Sequence, residues 1–448
     1  MGSARELGSG RENIVASDRM PFSTNSVFQK NQQQKGYPIT IAFIDTITMT
    51  EASRSSYHPA ARPSTLALAS YANMFCVGGA YALSTIQSEF PRLLDMPQQS
   101  SFAPFASACF GLSFGLGTCA SLLSTLGARA TAASGTAIWG LALIGTGHAL
   151  AMSNFVGILI AVAFGGIGVG YTYLSIIVLV GQGFPQRPLA RSAIGPLGFS
   201  TGAGACIGSY SYFSFSSIDQ QSLGHLVRLS GYISIPVALC TMIALPNDLT
   251  QFTGSPDSEQ KVASPRRAFR TLLFFNALPG MTAFAGILPL ANLYSEPDHQ
   301  YTALILPLIM VALALGGLLA QSFQGWLGAR ASFSVLFILR GAMLLRLAQY
   351  PSGLQATITL LSILFAHGMG FGILPGLIKR YHSQPAAFAY SYGSVLVAWG
   401  VAGVVGAILC ASSISSKENL TTVCSVMGVI TLVCGATIQL FSFGDILC

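Results

Sequence analysis

Long apolar runs alternate with short polar breaks from residue 66 almost to the last residue. Each run is about 20 residues, the length a helix needs to cross the hydrocarbon core of a bilayer. Twelve runs are counted. They lie at 66–88, 104–126, 131–151, 154–180, 189–213 and 229–247, then at 269–293, 302–326, 332–350, 355–378, 390–412 and 422–443. The longest polar break between them, Pro246–Arg270, carries Pro, Gly and mixed charge and divides the runs into six and six. The pattern predicts an all-α membrane protein with an N-terminal six-helix half at 65–247, a linker at 248–268 and a C-terminal six-helix half at 269–448. Residues 1–64 hold no such run. The patch Tyr37–Met49 is too short and too β-branched to span. No apolar segment of a signal peptide follows the first basic residues. A disordered tail is expected there.

Composition agrees with the pattern. The 448 residues are 52% hydrophobic and 8% charged, with a mean hydropathy of +0.60. A soluble domain carries about a quarter charged residues, so a water-soluble globule is excluded. The net charge of +7 raises the question of nucleic acid, but the placement of the charge answers it differently. With the N-terminus in the cytoplasm, seven Lys/Arg of the tail share a side with Arg129, Arg187, Arg191, Lys261, Arg266, Arg267, Arg270, Arg330, Lys379 and Arg380. Arg92, Arg228 and Lys417 fall on the other side. This asymmetry predicts cytoplasmic termini and a lipid bilayer, not nucleic acid, as the partner. The nine Cys are scattered singly, without metal-ligand spacing. No metal, no cofactor and no Ser/His/Asp set is indicated, which argues against an enzyme. The sequon at Asn419 lies in a short outer loop, too close to the membrane for glycosylation.

The halves are duplicated. "LGARA" occurs at Leu126–Ala130 and Leu327–Ala331, 201 positions apart, each time in the break after the second run of its half. "GIGVG" at Gly166–Gly170 and "GMGFG" at Gly368–Gly372 stand 202 apart, in the fourth and tenth runs. Two motifs at one offset, in corresponding runs, point to a parallel repeat.

This arrangement resembles the major facilitator superfamily of transporters. In that family the turn after the second helix reads as a Gly-x-x-x-Asp-Arg-x-Gly-Arg-type motif. Gly127 and Arg129, and again Gly328 and Arg330, match its end, while the Asp is absent from both copies. "GGAYALS" (Gly78–Ser84), "GIGVGYTYLSIIVLVGQGFPQRPLA" (Gly166–Ala190) and "YSYGSVLVAWGVAGVVG" (Tyr390–Gly406) are similar to stretches of the oxalate/formate antiporter and monocarboxylate transporter group. The chain departs from that group where a basic residue is usual, near Trp399 and in the eighth run, which argues against an oxalate-type dicarboxylate. The resemblance implies twelve helices in two halves, of which helices 1, 4, 7 and 10 line a central cavity.

Candidate residues follow from both readings. Apart from Arg191 and Arg270 at the cytoplasmic ends of their runs, Arg340 and Arg346 are the formal charges inside the runs. Arg346 is near an end and can snorkel. Arg340 is mid-run, where a charge costs several kcal/mol unless paired. It is either an anion-binding or gating charge or a structural donor to backbone carbonyls. His367 is the titratable group left in the tenth run, either a switch or a neutral hydrogen-bonding residue. By the implied lining, Asn73, Tyr81, Tyr171, Tyr173, Asn276, Arg340 and His367 are substrate-binding candidates, with Tyr392 and Trp399 added from the eleventh run. Interhelical hydrogen bonding is the competing role for each polar one. Gly127, Arg129, Gly328 and Arg330 are candidates for a conformational switch. Glycines in the fifth run (195, 198, 202, 204 and 208, beside Pro196) and in the eleventh (400, 403 and 406) are expected to form close sliding surfaces. The expected function is secondary transport of a small organic anion, a monocarboxylate, by antiport or facilitated flux in a plasma or organelle membrane, as a monomer. A neutral solute such as an amino acid, or a non-transporting receptor or assembly subunit on the same fold, stays open.

Overall fold

The computed structural model describes residues 62–214, 219–245, 266–285, 299–349, 353–382, 384–413 and 417–440. The expected disordered tail, most of the linker and the end of the seventh run lie outside the described residues.

Two helical stretches are too long to be single membrane helices. Ala103–Ala151 and His299–Leu347 each count 49 residues. At 1.5 Å per residue either would be about 74 Å long, more than twice the ~30 Å hydrocarbon core. Each is broken by one glycine in a conformation almost confined to glycine: Gly127 at φ 78°, ψ 165° and Gly328 at φ 75°, ψ 163°. They are the glycines of the two "LGARA" copies. The hydroxyls of Thr131 and Ser332 donate back to the carbonyls of Gly127 and Gly328, at 2.8 and 2.6 Å. The expected turns are therefore single-residue breaks, tighter than the loops the pattern suggested, because one left-handed glycine reverses the chain.

The breaks yield α2 (103–126) and α3 (128–151), then α8 (299–327) and α9 (329–347). The other helices are α1 (Pro63–Gly78), α4 (Phe155–Gly183), α5 (Gly198–Ser214), α6 (Gln220–Ala244), α7 (Arg266–Ala285), α10 (Gly353–Tyr381), α11 (Pro385–Ser413) and α12 (Lys417–Leu440). Short turns carry α1 on to Leu94, and Pro188–Ser192 with a π-turn at Ala193–Leu197 lead into α5. Counting joined helices once, eight stretches are long and apolar enough to cross a membrane among the described residues.

Two helix starts differ from the pattern. Helix α6 starts at Gln220, not near 229. The Asp219 carboxylate caps it by accepting from the Ser222 N–H at 2.6 Å. That bond holds Asp219 below the usual carboxylate range. Arg228, expected in a loop, thus lies within α6, 3.4 Å from His148 Nδ1 of α3. Helix α7 begins at Arg266, inside the expected linker.

Neighbour relations give the topology. On α2, Gly111 and Gly115 abut Ala163 and Ile167 of α4, the numbers rising together. On α3, Gly135 abuts Gly168 while Trp139 abuts Gly165, the numbers opposing. So α2 runs parallel to α4 and α3 antiparallel to it. The second half repeats this: Gly316 abuts Phe365 and Gln321 donates to Gly372 O at 2.7 Å, placing α8 parallel to α10. Gly140–Gly231 joins α3 to α6, and Gly341–Gly428 joins α9 to α12. The halves meet along two matching seams. Gly400 and Gly403 of α11 lie against Cys109 of α2, and Gly204 and Gly208 of α5 face Met310 and Pro307 of α8. Since α2 corresponds to α8 and α5 to α11, the seams are equivalent under the repeat. Of the expected glycine surfaces, Gly204, Gly208, Gly400 and Gly403 lie in these seams, while Gly198 and Gly202 pack against α1, Gly195 against Ile177 of α4 and Gly406 against Thr282 of α7.

Candidate functional site

The site forms where six helices cross. Glycines let α1 and α5 approach until backbones touch: a Cβ on Gly78 would overlap Phe199 O, and one on Gly202 would overlap Phe75 O. Just beyond, α1 tightens into a 3-10 turn at Gly79–Ala82, and this turn presents Tyr81. Tyr81 stacks on Phe284 of α7 at 4.1 Å between centroids, with 22° between planes. These two residues stand 203 positions apart, so corresponding positions of the halves meet face to face. Phe199 sets its edge against Tyr81 at 5.1 Å. Trp399 of α11 joins Tyr173 of α4 at 5.2 Å and Phe371 of α10 at 5.1 Å. The Trp399 indole N–H and the Tyr81 hydroxyl both donate to Met281 Sδ, at 3.2 and 3.6 Å. The result is a buried aromatic plug in which geometry adds about 0.5–1.5 kcal/mol per ring pair beyond burial.

A cavity opens on one side of this plug. Its volume is about 170 Å³. Tyr173, Phe371 and Gln321 line its deep part, and Gln182, Ser192, Arg191 and Lys379 its outer part. Phe371 lies eight residues before Lys379 on α10, roughly 12 Å deeper. Both halves contribute walls, and the cavity opens at the end of the bundle where α4 and α10 finish. Helices α2 and α8 run parallel to these, so Gly127 and Gly328 mark the same end. No carboxylate is among the described lining residues. Lys379 Nζ donates to Gly181 O at 3.3 Å and links α10 to α4 at the mouth. Toward the opposite end, among the described residues, Gln87 ties the halves together: its Nε2 donates to Ala285 O of α7 at 3.2 Å, and its Oε1 accepts from the Phe105 N–H at 3.3 Å.

The expected residues divide into three groups. Tyr81, Tyr173 and Trp399 form the plug, and Tyr392 stacks on the cavity residue Phe388 at 5.3 Å. His367 touches the plug from behind, 5.9 Å from Phe284 and 4.9 Å from Phe371. Arg340 and Asn276 lie behind His367 and do not line the cavity. Arg340 is fully buried and donates to the carbonyl of Asn276 and, at 2.8 Å, to its Oδ1. Asn73 is tied to Thr136 and Thr241 at 2.6 Å each, and Tyr171 to Thr118 at 3.1 Å, both away from the cavity. At the breaks, Arg330 Nε donates to Ile438 O of α12 at 2.9 Å, while Arg129 Nε is buried without a hydrogen-bond partner. Arg346 bonds Gln349 and Gln355 at the end away from the cavity mouth, as snorkelling requires.

Sequence reasoning missed Arg191 and Lys379 as site residues because they read as topology charges. It also missed Gln321, a polar residue in an otherwise apolar run, and Phe284, which the 203-residue offset from Tyr81 would have singled out.

No family model and no curated protein matches this chain by sequence. Solved structures do match. The xylose transporter XylE from E. coli, in an inward-open conformation, has a TM-score of 0.68 at 12% identity over 84% of this chain and 96% of that one. Its partially occluded inward-open conformation has 0.67 at 13%, over 85% and 97%. The nucleoside transporter NupG has 0.57 at 14%, over 84% and 98%. XylE is a major facilitator superfamily protein. The chain has the major facilitator fold. Together with the apolar helices, this makes it an integral, multi-pass membrane protein. At these identities the match speaks for the major facilitator fold alone, and the cargo has to be argued from the cavity.

Proposed function

We propose that this protein is a transporter that moves a small organic anion, a monocarboxylate, by alternating access, as a monomer. The observation that carries this reading is the cavity: basic groups from both halves at its mouth, an aromatic base, and no carboxylate among its described lining residues. Arg191 and Lys379 attract an anion and strip its wrong-sign competitors. Tyr173 and Phe371 accept a hydrocarbon body, and Gln321 and Gln182 supply orienting donors. A solute with one carboxylate and an apolar remainder fits that gradient of chemistry. The plug of Tyr81, Phe284 and Trp399 closes the far side, and the two glycine seams are the surfaces on which the halves rock. Cytoplasmic termini and a cytoplasmic mouth follow from the distribution of Lys and Arg, and the inward-open XylE match supports the same direction. Gly127, Arg129, Gly328 and Arg330 act at that mouth as joints of the two halves.

The second reading is a neutral polar solute, favoured by the sugar and nucleoside cargoes named for XylE and NupG. Uptake of labelled lactate, pyruvate, xylose and uridine into proteoliposomes separates the two. The anion reading expects saturable lactate or pyruvate flux, with about tenfold weaker apparent affinity in Lys379→Gln, equivalent to about 1.4 kcal/mol. Flux of xylose or uridine that ignores Lys379→Gln supports the neutral reading. No flux with any of them, from folded protein, leaves the receptor role.

A further inference from the structure

The C-terminal half buries a cation with no acidic partner. Arg340 is 0% exposed, Asn276 0% and His367 1%. No carboxylate pairs with Arg340 among the described residues. Its guanidinium has five N–H donors. One reaches Asn276 O and one Asn276 Oδ1, and Phe337 lies under it at 5.4 Å. Nε has no partner. Because Asn276 Oδ1 is turned to the arginine, its Nδ2 points the other way, and that nitrogen is unpartnered too. Both ring nitrogens of His367 are buried as well, and the ring has no side-chain hydrogen-bond partner, only the Asn276 backbone beside it.

The helices are shaped to hold these groups. Asn276 lies against Gly370 of α10, where a Cβ would overlap its amide, and His367 lies against Gly280 of α7, where a Cβ would overlap its ring. Each helix thus offers a glycine to the other's polar side chain. Pro279 removes the N–H that would bond the carbonyl of Phe275, which loosens α7 beside Asn276. What remains is a positive charge and a clear excess of N–H donors over acceptors, sealed from solvent. A buried group in that condition costs several kcal/mol. A further water would supply acceptors but no charge. A small anion supplies both.

We infer that Arg340, Asn276 and His367 form an internal site for a monatomic anion, a halide, distinct from the transported solute. All three side chains are buried, so an occupant has to be small. His367 joins this site to Phe284 and Phe371, so occupancy stiffens the back of the plug. The inference does not rest on the cargo of the cavity.

The test is thermal unfolding of the purified full chain in nanodiscs at constant ionic strength, with gluconate replaced by chloride, bromide or acetate. Chloride and bromide raise the midpoint, and the rise grows with the logarithm of concentration beyond saturation. Acetate does not. Asn276→Asp places a carboxylate beside Arg340, so this variant is as stable in gluconate as wild type is in chloride, and it is insensitive to halide. Arg340→Met also loses the halide shift. Lys379→Gln, outside the site, keeps it whatever its effect on solute flux. Equal midpoints in gluconate and chloride, as for an ordered water only, would overturn the inference. So would an equal shift with acetate, or an unchanged halide shift in Asn276→Asp.

Discussion

Trp139 of α3 and Arg340 of α9 stand 201 positions apart, at the same place in the two halves, and each reaches the first helix of its half. Trp139 donates its one N–H to Cys76 O at 2.9 Å, which satisfies it. Arg340 reaches Asn276 and leaves donors over. The partners differ in the same way. Asn73, which corresponds to Asn276, is saturated: its amide donates to Ala69 O and Thr241, and its oxygen accepts from Thr136. Asn276 is half satisfied. Gly165 fits under Trp139, whereas its counterpart in the second half is His367. One set of backbone relations therefore supports a closed, neutral hydrogen-bond network in the first half and an open, cationic one in the second. The duplicated scaffold is a matter of glycines and helix directions, and the chemistry was placed on one half only.

The largest expected break in this comparison is Asn276→Ala. It strands the Arg340 charge and costs about 3–5 kcal/mol, while Asn73→Ala leaves only neutral hydroxyls unpaired and costs about 1–3 kcal/mol. Equal losses in chemical unfolding would mean the two networks are alike. Gly370→Ala comes next, at about 1–3 kcal/mol, since the new methyl meets the Asn276 amide. Gly127→Ala and Gly328→Ala should each cost about 1–2 kcal/mol and match one another, because both glycines hold the same positive φ. A clear difference between them would undo the equivalence of the breaks. Smallest is Trp139→Phe, which removes one interhelical hydrogen bond worth about 0.6–1.7 kcal/mol.

Much of this scaffold was legible in the chain. The twelve runs, the repeated "LGARA" and the paired glycine motifs report directly on helix length, the position of the breaks and the duplication, because each depends on local residue type. The site was legible only in part. Tyr81, Tyr173 and Trp399 were found, but Phe199, Phe284 and Phe371 were not: in a chain with 28 Phe, a ring in the plug looks like a ring facing lipid. Arg191 and Lys379 served the topology argument so well that their position at a cavity mouth went unread. Arg340 was singled out as costly inside a membrane, and Asn73 as a polar residue that either binds solute or bonds between helices. Which neighbour relieved that cost depended on helix rotation, and apolar runs without a polar face do not reveal rotation.

The central claim is that the two halves swing about the plug and close the mouth marked by Gly127 and Gly328. Leu126 and Leu327, the exposed first residues of the two "LGARA" copies, are equivalent sites at that mouth. Spin labels at Leu126→Cys and Leu327→Cys, in a background free of native cysteines, report the distance between the halves by pulsed dipolar spectroscopy. Saturating transported solute should shift the population toward a shorter distance. A single distribution that does not change with solute, in protein that still transports it, would contradict the account.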